Sequence, residues 1–257
     1  MKNNSSKNTP PMSFDVYRDM LRNIQATGKY CDYADVTEDK PYIVLRHDVE
    51  FSPWRALEMQ KVGNDLDFNS SYFFQISNNT YNAFSQKNMD IIKEIRANGH
   101  HIGLHYHVCG KTDLGEIAAD IKRQANIMSE MLGFAIERFS VHRPSKEVLR
   151  CGIAVDGLID TYNPKFFSFA ENAITDTVLE VKYTSDSQFR WDYGFPDEKY
   201  LSSYPKIQIL LHPDYWTPIG YSNLENFKTL TLEKKAELLD DFDSECKQFR
   251  EVCDALQ

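Results

Sequence analysis

Short, β-rich apolar segments alternate with helical segments along most of this 257-residue chain, and this alternation limits the fold more than any other feature. Alternation at this spacing is typical of βαβ units and a parallel sheet. At this length, with polar residues at the ends of successive strands, a single-domain (β/α) barrel fits better than an open sheet. We predict strands at residues 42–47, 70–76, 101–105, 138–142 and 207–211, and weaker ones at 158–162 and 178–183.

Helices are predicted between these strands from apolar periodicity and capping residues. Ser52-Pro53, for example, combines an N-cap serine with a proline in the first turn. Residues 1–12 are polar and contain Pro10-Pro11, so we predict a disordered tail there and one barrel domain over 13–257. The predicted helices are 15–26, 53–62, 85–97, 113–132 and 231–252.

Composition limits the partners and the compartment. The net charge of −9 and the absence of a Lys/Arg cluster argue against a nucleic acid or an anionic membrane surface, and leave a carbohydrate substrate open. No segment reaches the length of a membrane span. Five cysteines without a Cys-x-x-Cys pair favour reduced thiols, and we expect a cytoplasmic protein because no apolar leader begins the chain.

Asp48 and Glu50 follow the apolar part of the first predicted strand. They are two residues apart, so an extended chain points both side chains to the same side. An isolated acidic pair at a strand end more often faces solvent, but the neighbouring Arg46 and His47 make this cluster less ordinary. We predict that one carboxylate binds a divalent metal and that the other is the general base for the attacking water.

His105 and His107 have the same spacing at the end of the third strand and would meet the same ion. Imidazole and carboxylate are ligands of zinc and similar divalent ions. A lone histidine is more often structural, and two at strand spacing make the ligand hypothesis about as strong as the structural one. Cys109 is a further possible ligand, ranked below His107, whereas His100 and His101 are expected to be structural.

Two further strand ends carry groups suited to catalysis. In His142-Arg143-Pro144, Arg143 can hold the carboxylate base or neutralise an oxyanion, although a surface arginine is equally compatible. His212, with Pro213 ending the last strand, can protonate a leaving amine or alkoxide.

Four residues are predicted to bind substrate. Flat aromatic faces suit sugar rings, although the tryptophans fit a core equally well. Asp186 could orient His212 instead. The predicted substrate-binding residues are Tyr106, Asp186, Trp191 and Trp216. The chain has no Gly-x-Ser-x-Gly turn, Walker loop or dinucleotide fingerprint, which disfavours those enzyme classes.

Taken in order, these segments resemble the motifs of the polysaccharide deacetylase family, the NodB-homology carbohydrate esterases. The likeness is greater to the branch from bacterial surface-polysaccharide gene clusters, whose first motif is His-Asp-Val-Asp. The corresponding segments are His47–Glu50, Gly99–His105 for the second motif Gly-His-Glu-Ile-Gly-x-His, Arg143-Pro144 for the Arg-Pro pair, and Leu210–Pro213 for Leu-x-His-Pro, within residues 42–217.

The resemblance implies a distorted (β/α) barrel of about seven strands that uses a divalent metal ion, commonly zinc, to remove N- or O-acetyl groups from sugars. It implies that Asp48 is the catalytic base or a ligand, with Glu50 its acidic neighbour and His105 a ligand. It also implies that Arg143 positions the base and that His212 is the catalytic acid.

Two departures from the family motifs affect the metal site. The family has adjacent aspartates, whereas Val49 separates the acids here. The family's second metal histidine lies four residues after the first, where this chain has Cys109, so His107 or His142 would have to substitute. We therefore predict a metal-dependent sugar deacetylase, with two alternatives: a decayed carbohydrate-binding barrel, and a hydrolase of another C–N or glycosidic bond.

Overall fold

Seven parallel strands form one curled sheet in the computed structural model, which describes residues 10–169 and 179–249. Numbered along the chain, the strands lie in the order β5-β4-β3-β2-β1-β7-β6, and every pairing is parallel. The predicted fold, a distorted (β/α) barrel with about seven parallel strands, is confirmed. The strands are β1 Tyr42–Val49, β2 Ser71–Phe74, β3 His101–His107, β4 Arg138–His142, β5 Ile159–Asp160, β6 Lys182–Ser185 and β7 Lys206–Leu211.

The helices begin at side chains that accept hydrogen bonds from the first helical turn. Ser52 caps the helix after β1, and Asp113 caps the helix after β3. That second helix ends at Gly133, whose φ of 80° is a left-handed conformation that glycine adopts without strain. The helices are α1 Phe14–Ala26, α2 Pro53–Asn64, α3 Gln86–Ala97, α4 Leu114–Leu132, α5 Lys146–Cys151, α6 Glu198–Ser203 and α7 Asn223–Glu245.

Side chains alternate between two environments along β1, although every residue of the strand is buried. Ile43 and Leu45 face outward and pack with residues of α1. Tyr42 and Val44 face the barrel interior and pack with Phe166. The first half of the strand is apolar on both faces, which explains the continuous apolar segment in the sequence.

The segment after β5 contacts the far side of the sheet through the barrel interior. In the described part of the chain β5 and β6 do not pair, so the barrel is open there. Gln208 of β7 donates to the carbonyl oxygens of Thr161 (2.8 Å) and Phe166 (2.7 Å). These buried bonds hold the open side of the barrel together.

Several predicted boundaries differ from the structure. Helix α7 begins at Asn223 rather than near Thr231, because Ser222 caps it. The strand predicted at 178–183 is β6, Lys182–Ser185; Val178 and the predicted end of α7 at Val252 lie outside the described residues. Most of the predicted tail also lies outside them, and Met12, which is described, is buried. No helix in the described ranges is long and apolar enough to cross a membrane.

Candidate active site

The end of β1 delivers three charged side chains to one mouth of the barrel. Arg46, Asp48 and Glu50 follow the inward-facing Val44 at intervals of two, so all three point inward. His47 points outward, where the Tyr17 hydroxyl lies 3.0 Å from its Nε2. Burial lowers the pKa of His47 to about 3, so this histidine is neutral and structural.

Three potential metal ligands converge at this mouth: Glu50, His105 and His142. Their ligand atoms all lie within 4.8 Å of one another. Glu50 Oε1 is 2.7 Å from His142 Nδ1 and 3.6 Å from His105 Nε2, and the two imidazole nitrogens are 3.2 Å apart. Burial favours a raised pKa for Glu50, but the neighbouring imidazoles of His105 and His142 outweigh it and hold the pKa well below its usual value.

Ser140 fixes the orientation of His105. Its hydroxyl donates to Asp48 Oδ1 at 3.1 Å, so its oxygen accepts from His105 Nδ1 at 2.7 Å. The proton of His105 is therefore on Nδ1, and the lone pair of Nε2 is directed at Glu50 and His142. Metal-binding histidines are usually held in this way, through a hydrogen bond from the other ring nitrogen. The donor set and the tautomer both fit a divalent cation.

Asp48 lies beside this group but outside it. The carboxylate is 2% exposed, and its Oδ2 lies 3.6 Å from His105 Nδ1 and 3.7 Å from Arg46 Nη2. Arg46 is fully buried. Among the lysines and arginines of the described ranges, Arg46 is the one that forms an ion pair with Asp48. Asp48 is therefore a buried carboxylate balanced by one guanidinium.

The backbone at Glu50 is held from two sides. The Asp214 carboxylate accepts from the backbone N–H groups of Glu50 (3.0 Å), Phe51 (3.0 Å) and Ser52 (2.7 Å). On the other side, Asn78 and Thr80 each donate to the Glu50 carbonyl oxygen at 2.9 Å. Burial raises the pKa of Asp214 to about 6 despite these backbone hydrogen bonds. The position of Glu50 thus depends on residues far from it in sequence.

His212 faces the same mouth from the end of β7. Its Nδ1 is 2.6 Å from Asp186 Oδ1, and Asp186 Oδ2 also accepts from Trp216 Nε1 at 2.8 Å. Burial would lower the pKa of His212, but the charge and hydrogen bond of Asp186 outweigh burial and raise it to about 9. The remaining nitrogen, Nε2, lies 3.9 Å from Glu50 Oε1.

A large cleft opens over these residues. Its volume is about 1430 Å³, and Asp48, Glu50, His105, His142 and His212 all line it. Its walls carry aromatic rings, among them the partly exposed Tyr183, the exposed Tyr193 and the buried Tyr215. A cleft with convergent polar groups at one end and apolar faces along its walls is the usual form of a small-molecule site.

The predicted ligand His107 does not converge with the other three. Its side chain points inward like that of His105, but it lies at the rim, where Nδ1 accepts from the Cys109 N–H at 3.0 Å. Cys109 Sγ is 3.4 Å from the same nitrogen, so the predicted alternative ligand also lies outside the group. His142, which the sequence left as an alternative, occupies the third position.

Three of the four predicted substrate-binding residues are buried and offer no exposed face to a sugar. Tyr106 alternates with His105 and points outward, where its hydroxyl donates to Asp120 at 3.0 Å. Asp186 and Trp216 are fully buried supports of His212 rather than contacts for a sugar. Trp191 packs against Phe195 and does not line the cleft.

Arg143 lies at the rim, exposed, and lines the cleft rather than contacting Asp48. Its φ of 51° places it in the left-handed region, which is uncommon for a residue with a side chain. In the described part of the chain it forms no ion pair with a carboxylate.

Several residues of this site were given no role from the sequence. Arg46 and Ser140 carried a signal, because each stands two residues from a predicted or possible site residue on the same strand. Asp214 follows His212-Pro213 directly, but nothing local to it indicates a contact with Glu50.

No family model matches the chain, and no curated protein matches it. Among solved structures, it is similar to a chitin deacetylase from the fungal pathogen Colletotrichum lindemuthianum, with 14% identity, 76% of this chain and 84% of that chain covered, and a TM-score of 0.41. It is also similar to the peptidoglycan deacetylase PdaC from Bacillus subtilis, with 8% identity, coverage of 79% and 98%, and a TM-score of 0.37.

A third similar structure is a CE4 family pseudoenzyme from Bacillus anthracis, with 12% identity, coverage of 85% of this chain and 76% of that one, and a TM-score of 0.43. Two of the three proteins are thus named deacetylases and one a pseudoenzyme.

Proposed function

We propose that this protein is a metal-dependent hydrolase of the polysaccharide deacetylase type, which removes N- or O-acetyl groups from a carbohydrate. One observation carries the proposal: Glu50, His105 and His142 converge beside the buried carboxylate of Asp48, with His212 across the same cleft. Ligand set, base and acid are the components that metal-assisted acyl hydrolysis requires.

Glu50, His105 and His142 would hold the ion, for which zinc is the leading choice. Two imidazoles and one carboxylate are a known catalytic zinc set. The ion would act there as a Lewis acid toward the substrate carbonyl. In this assignment Asp48 is the base alone, and His107 and Cys109 are not ligands.

Asp48 takes a proton from the water that attacks the acetyl carbon. Within the described residues Asp48 Oδ2 accepts no hydrogen bond, since His105 Nδ1 lies 3.6 Å and Arg46 Nη2 3.7 Å away, so a lone pair is available for that proton. The C–N or C–O bond of the acetyl group then breaks, and acetate leaves. His212 gives the leaving nitrogen or oxygen its proton from Nε2, because Nδ1 is held by Asp186.

The carbohydrate part of the proposal is supported by the cleft. Aromatic rings along its walls, such as Tyr183 and Tyr193, offer flat faces to sugar rings. The net charge of −9 disfavours a nucleic acid. The cytoplasmic location expected from the sequence stays a prediction.

The proposal is tested by metal content together with acetate release. The protein is stripped with a chelator and reloaded with Zn²⁺ or Co²⁺, and bound ion is counted by mass spectrometry. Acetate is then measured with N-acetylglucosamine oligomers and with O-acetylated sugars. We expect about one ion per chain and acetate release that depends on it.

Variants separate ligands from base. Glu50→Gln and His142→Gln are expected to lose the ion, because each removes a ligand. Asp48→Asn is expected to keep it while kcat falls by about 100- to 10,000-fold. Loss of the ion in His107→Gln, with retention in His142→Gln, would contradict the ligand set. Sugar binding without acetate release would support the alternative of a non-catalytic carbohydrate-binding barrel.

A further inference from the structure

A buried arginine lies beside the proposed base on the same strand. Arg46 stands two residues before Asp48, so both side chains enter the barrel interior, and both are buried. Nη2 of Arg46 is 3.7 Å from Oδ2 of Asp48. A buried carboxylate without a partner costs several kcal/mol, and Arg46 is the cation that offsets this cost.

Residues at the opposite side of the barrel fix the plane of the Arg46 guanidinium. Nη1 donates to the Thr161 hydroxyl, and Nη2 donates to the Tyr162 hydroxyl at 2.7 Å. The guanidinium carbon also lies 4.6 Å from the centre of the Tyr162 ring. These residues directly follow β5, so Arg46 reaches across the interior, and its two hydrogen bonds restrain it beside Asp48.

The two carboxylate oxygens of Asp48 have different neighbours. Ser140 donates a hydrogen bond to Oδ1 at 3.1 Å and so restricts rotation of the carboxylate. Arg46 approaches Oδ2 only to 3.7 Å, which is too long for a direct hydrogen bond. Arg46 thus supplies charge and orientation while Oδ2 remains able to accept a proton.

Arg143 has none of these contacts. It is exposed at the rim of the cleft, and in the described ranges no carboxylate pairs with it. The resemblance to the deacetylase motifs implied that Arg143 positions the base, but the position beside Asp48 is occupied by Arg46.

We infer that Arg46, and not Arg143, is the residue that positions Asp48 for proton transfer. The inference rests on the proposed function, since it assigns a role within that reaction. It means that the first strand supplies base, positioning cation and metal carboxylate together, as Arg46, Asp48 and Glu50.

The test compares Arg46→Lys with the matched variant Arg138→Lys. Lysine keeps the positive charge but loses the planar group that binds Thr161 and Tyr162. Arg138 is a second buried arginine of the barrel, paired with Asp32 at 2.6 Å and bonded to Ser71 at the opposite end of the strands. It therefore reports the effect of losing a buried guanidinium away from Asp48.

We expect Arg46→Lys to lower kcat by about 100-fold, as misplacement of a reacting group does, with KM and bound metal within about threefold. Arg138→Lys is expected to lower the melting temperature about as much as Arg46→Lys does, while its kcat stays within about twofold of the unmodified protein. Tyr162→Phe removes one anchor of Arg46 and should lower kcat by about tenfold, and it decides the matter if Arg46→Lys does not fold.

Three results would overturn the inference. A kcat in Arg46→Lys equal to that of Arg138→Lys would make Arg46 merely structural, as would an unchanged kcat in Tyr162→Phe if Arg46→Lys fails to fold. A larger loss of kcat in Arg143→Lys than in Arg46→Lys would return the role to Arg143. Absence of hydrolysis by the unmodified protein would overturn the proposed function itself, and is thereby distinguished from failure of this inference alone.

Discussion

At the scale of single residues, the direction of a side chain decides its role more than its type does. His105 and His107 have the same spacing from a strand end, yet only His105 joins Glu50 and His142, because Cys109 turns the chain and binds His107 at the rim. Likewise the resemblance to the deacetylase motifs implied that Arg143 positions the base, whereas Arg46 is the arginine that lies beside Asp48.

The support of His212 by Asp186 gives a prediction at this scale. Asp186→Asn keeps the size of the side chain but removes the charge that stabilises the imidazolium and fixes its tautomer. We expect kcat of the metal-loaded protein to fall by about 100-fold, measured as acetate release at saturating substrate. Asp90→Asn, on the exposed face of α3, is the matched control. Wild-type kcat in Asp186→Asn would contradict the assigned role of His212.

At the scale of elements, side chains of β2 and β4 pack so closely against β3 that β3 requires a glycine at position 103. Gly103 lies on β3 between the inward-facing His101 and His105, and a Cβ there would lie 2.5 Å from Phe73 Cε1 and 2.9 Å from Arg138 Cγ. Real side-chain carbons do not approach so closely, so the ring of Phe73 occupies the space that glycine leaves.

Gly103→Ala is therefore expected to destabilise the fold. Overpacking of this kind costs about 1–3 kcal/mol, measured as the change in free energy of unfolding in urea. Gly115→Ala is the control, because Gly115 lies in α4, where the nearest atom to an added Cβ is Asp113 Oδ1 at 3.2 Å, and alanine favours a helix by about 0.5–1 kcal/mol. Equal stability of Gly103→Ala and the unmodified protein would contradict this prediction and show that the side chains of Phe73 and Arg138 can move aside at little cost.

At the scale of the whole molecule, buried neutral histidines make stability depend on pH. His100 accepts from the Ser70 N–H through Nδ1 at 3.1 Å and contacts Asn64 through Nε2 at 2.9 Å, in a buried environment. Burial lowers its pKa from 6.5 to about 4. Between those values the unfolded chain binds a proton that the folded chain does not, so stability decreases as pH falls.

His100→Asn should reduce this dependence, since the asparagine oxygen can still accept from the Ser70 N–H but does not titrate. Between pH 6.5 and pH 4.5, the slope of the unfolding free energy against pH is expected to be smaller in His100→Asn by up to about 1.4 kcal/mol per pH unit. Urea unfolding across this range measures it. The half-exposed His101, as His101→Gln, is expected to change the slope less. Identical slopes for His100→Asn and the unmodified protein would contradict the prediction.

Local sequence was sufficient for the strand order along the chain and for most helix starts. Ser52-Pro53 and Asp113 correctly predict the starts of α2 and α4, because a helix cap depends only on residues within one turn. The inward direction of Asp48 and Glu50 followed from the two-residue period of a strand. The start of α7 at Asn223, eight residues before the predicted one, and the two-residue length of β5 were not predicted, because apolar periodicity is weak in both segments.

The sequence by itself determined which side chains share a face: Arg46 with Asp48 and Glu50 on β1, and His105 with His107 on β3. Only the tertiary structure decided which of them meet. The pairing of β3 with β4 places His105 opposite Ser140 and His107 opposite His142, and the curl of the sheet then brings His142 to Glu50 and the residues after β5 to Arg46. The physical reason is that alternation along a strand is a local property of the backbone, whereas register and curvature are set by packing between strands distant in sequence.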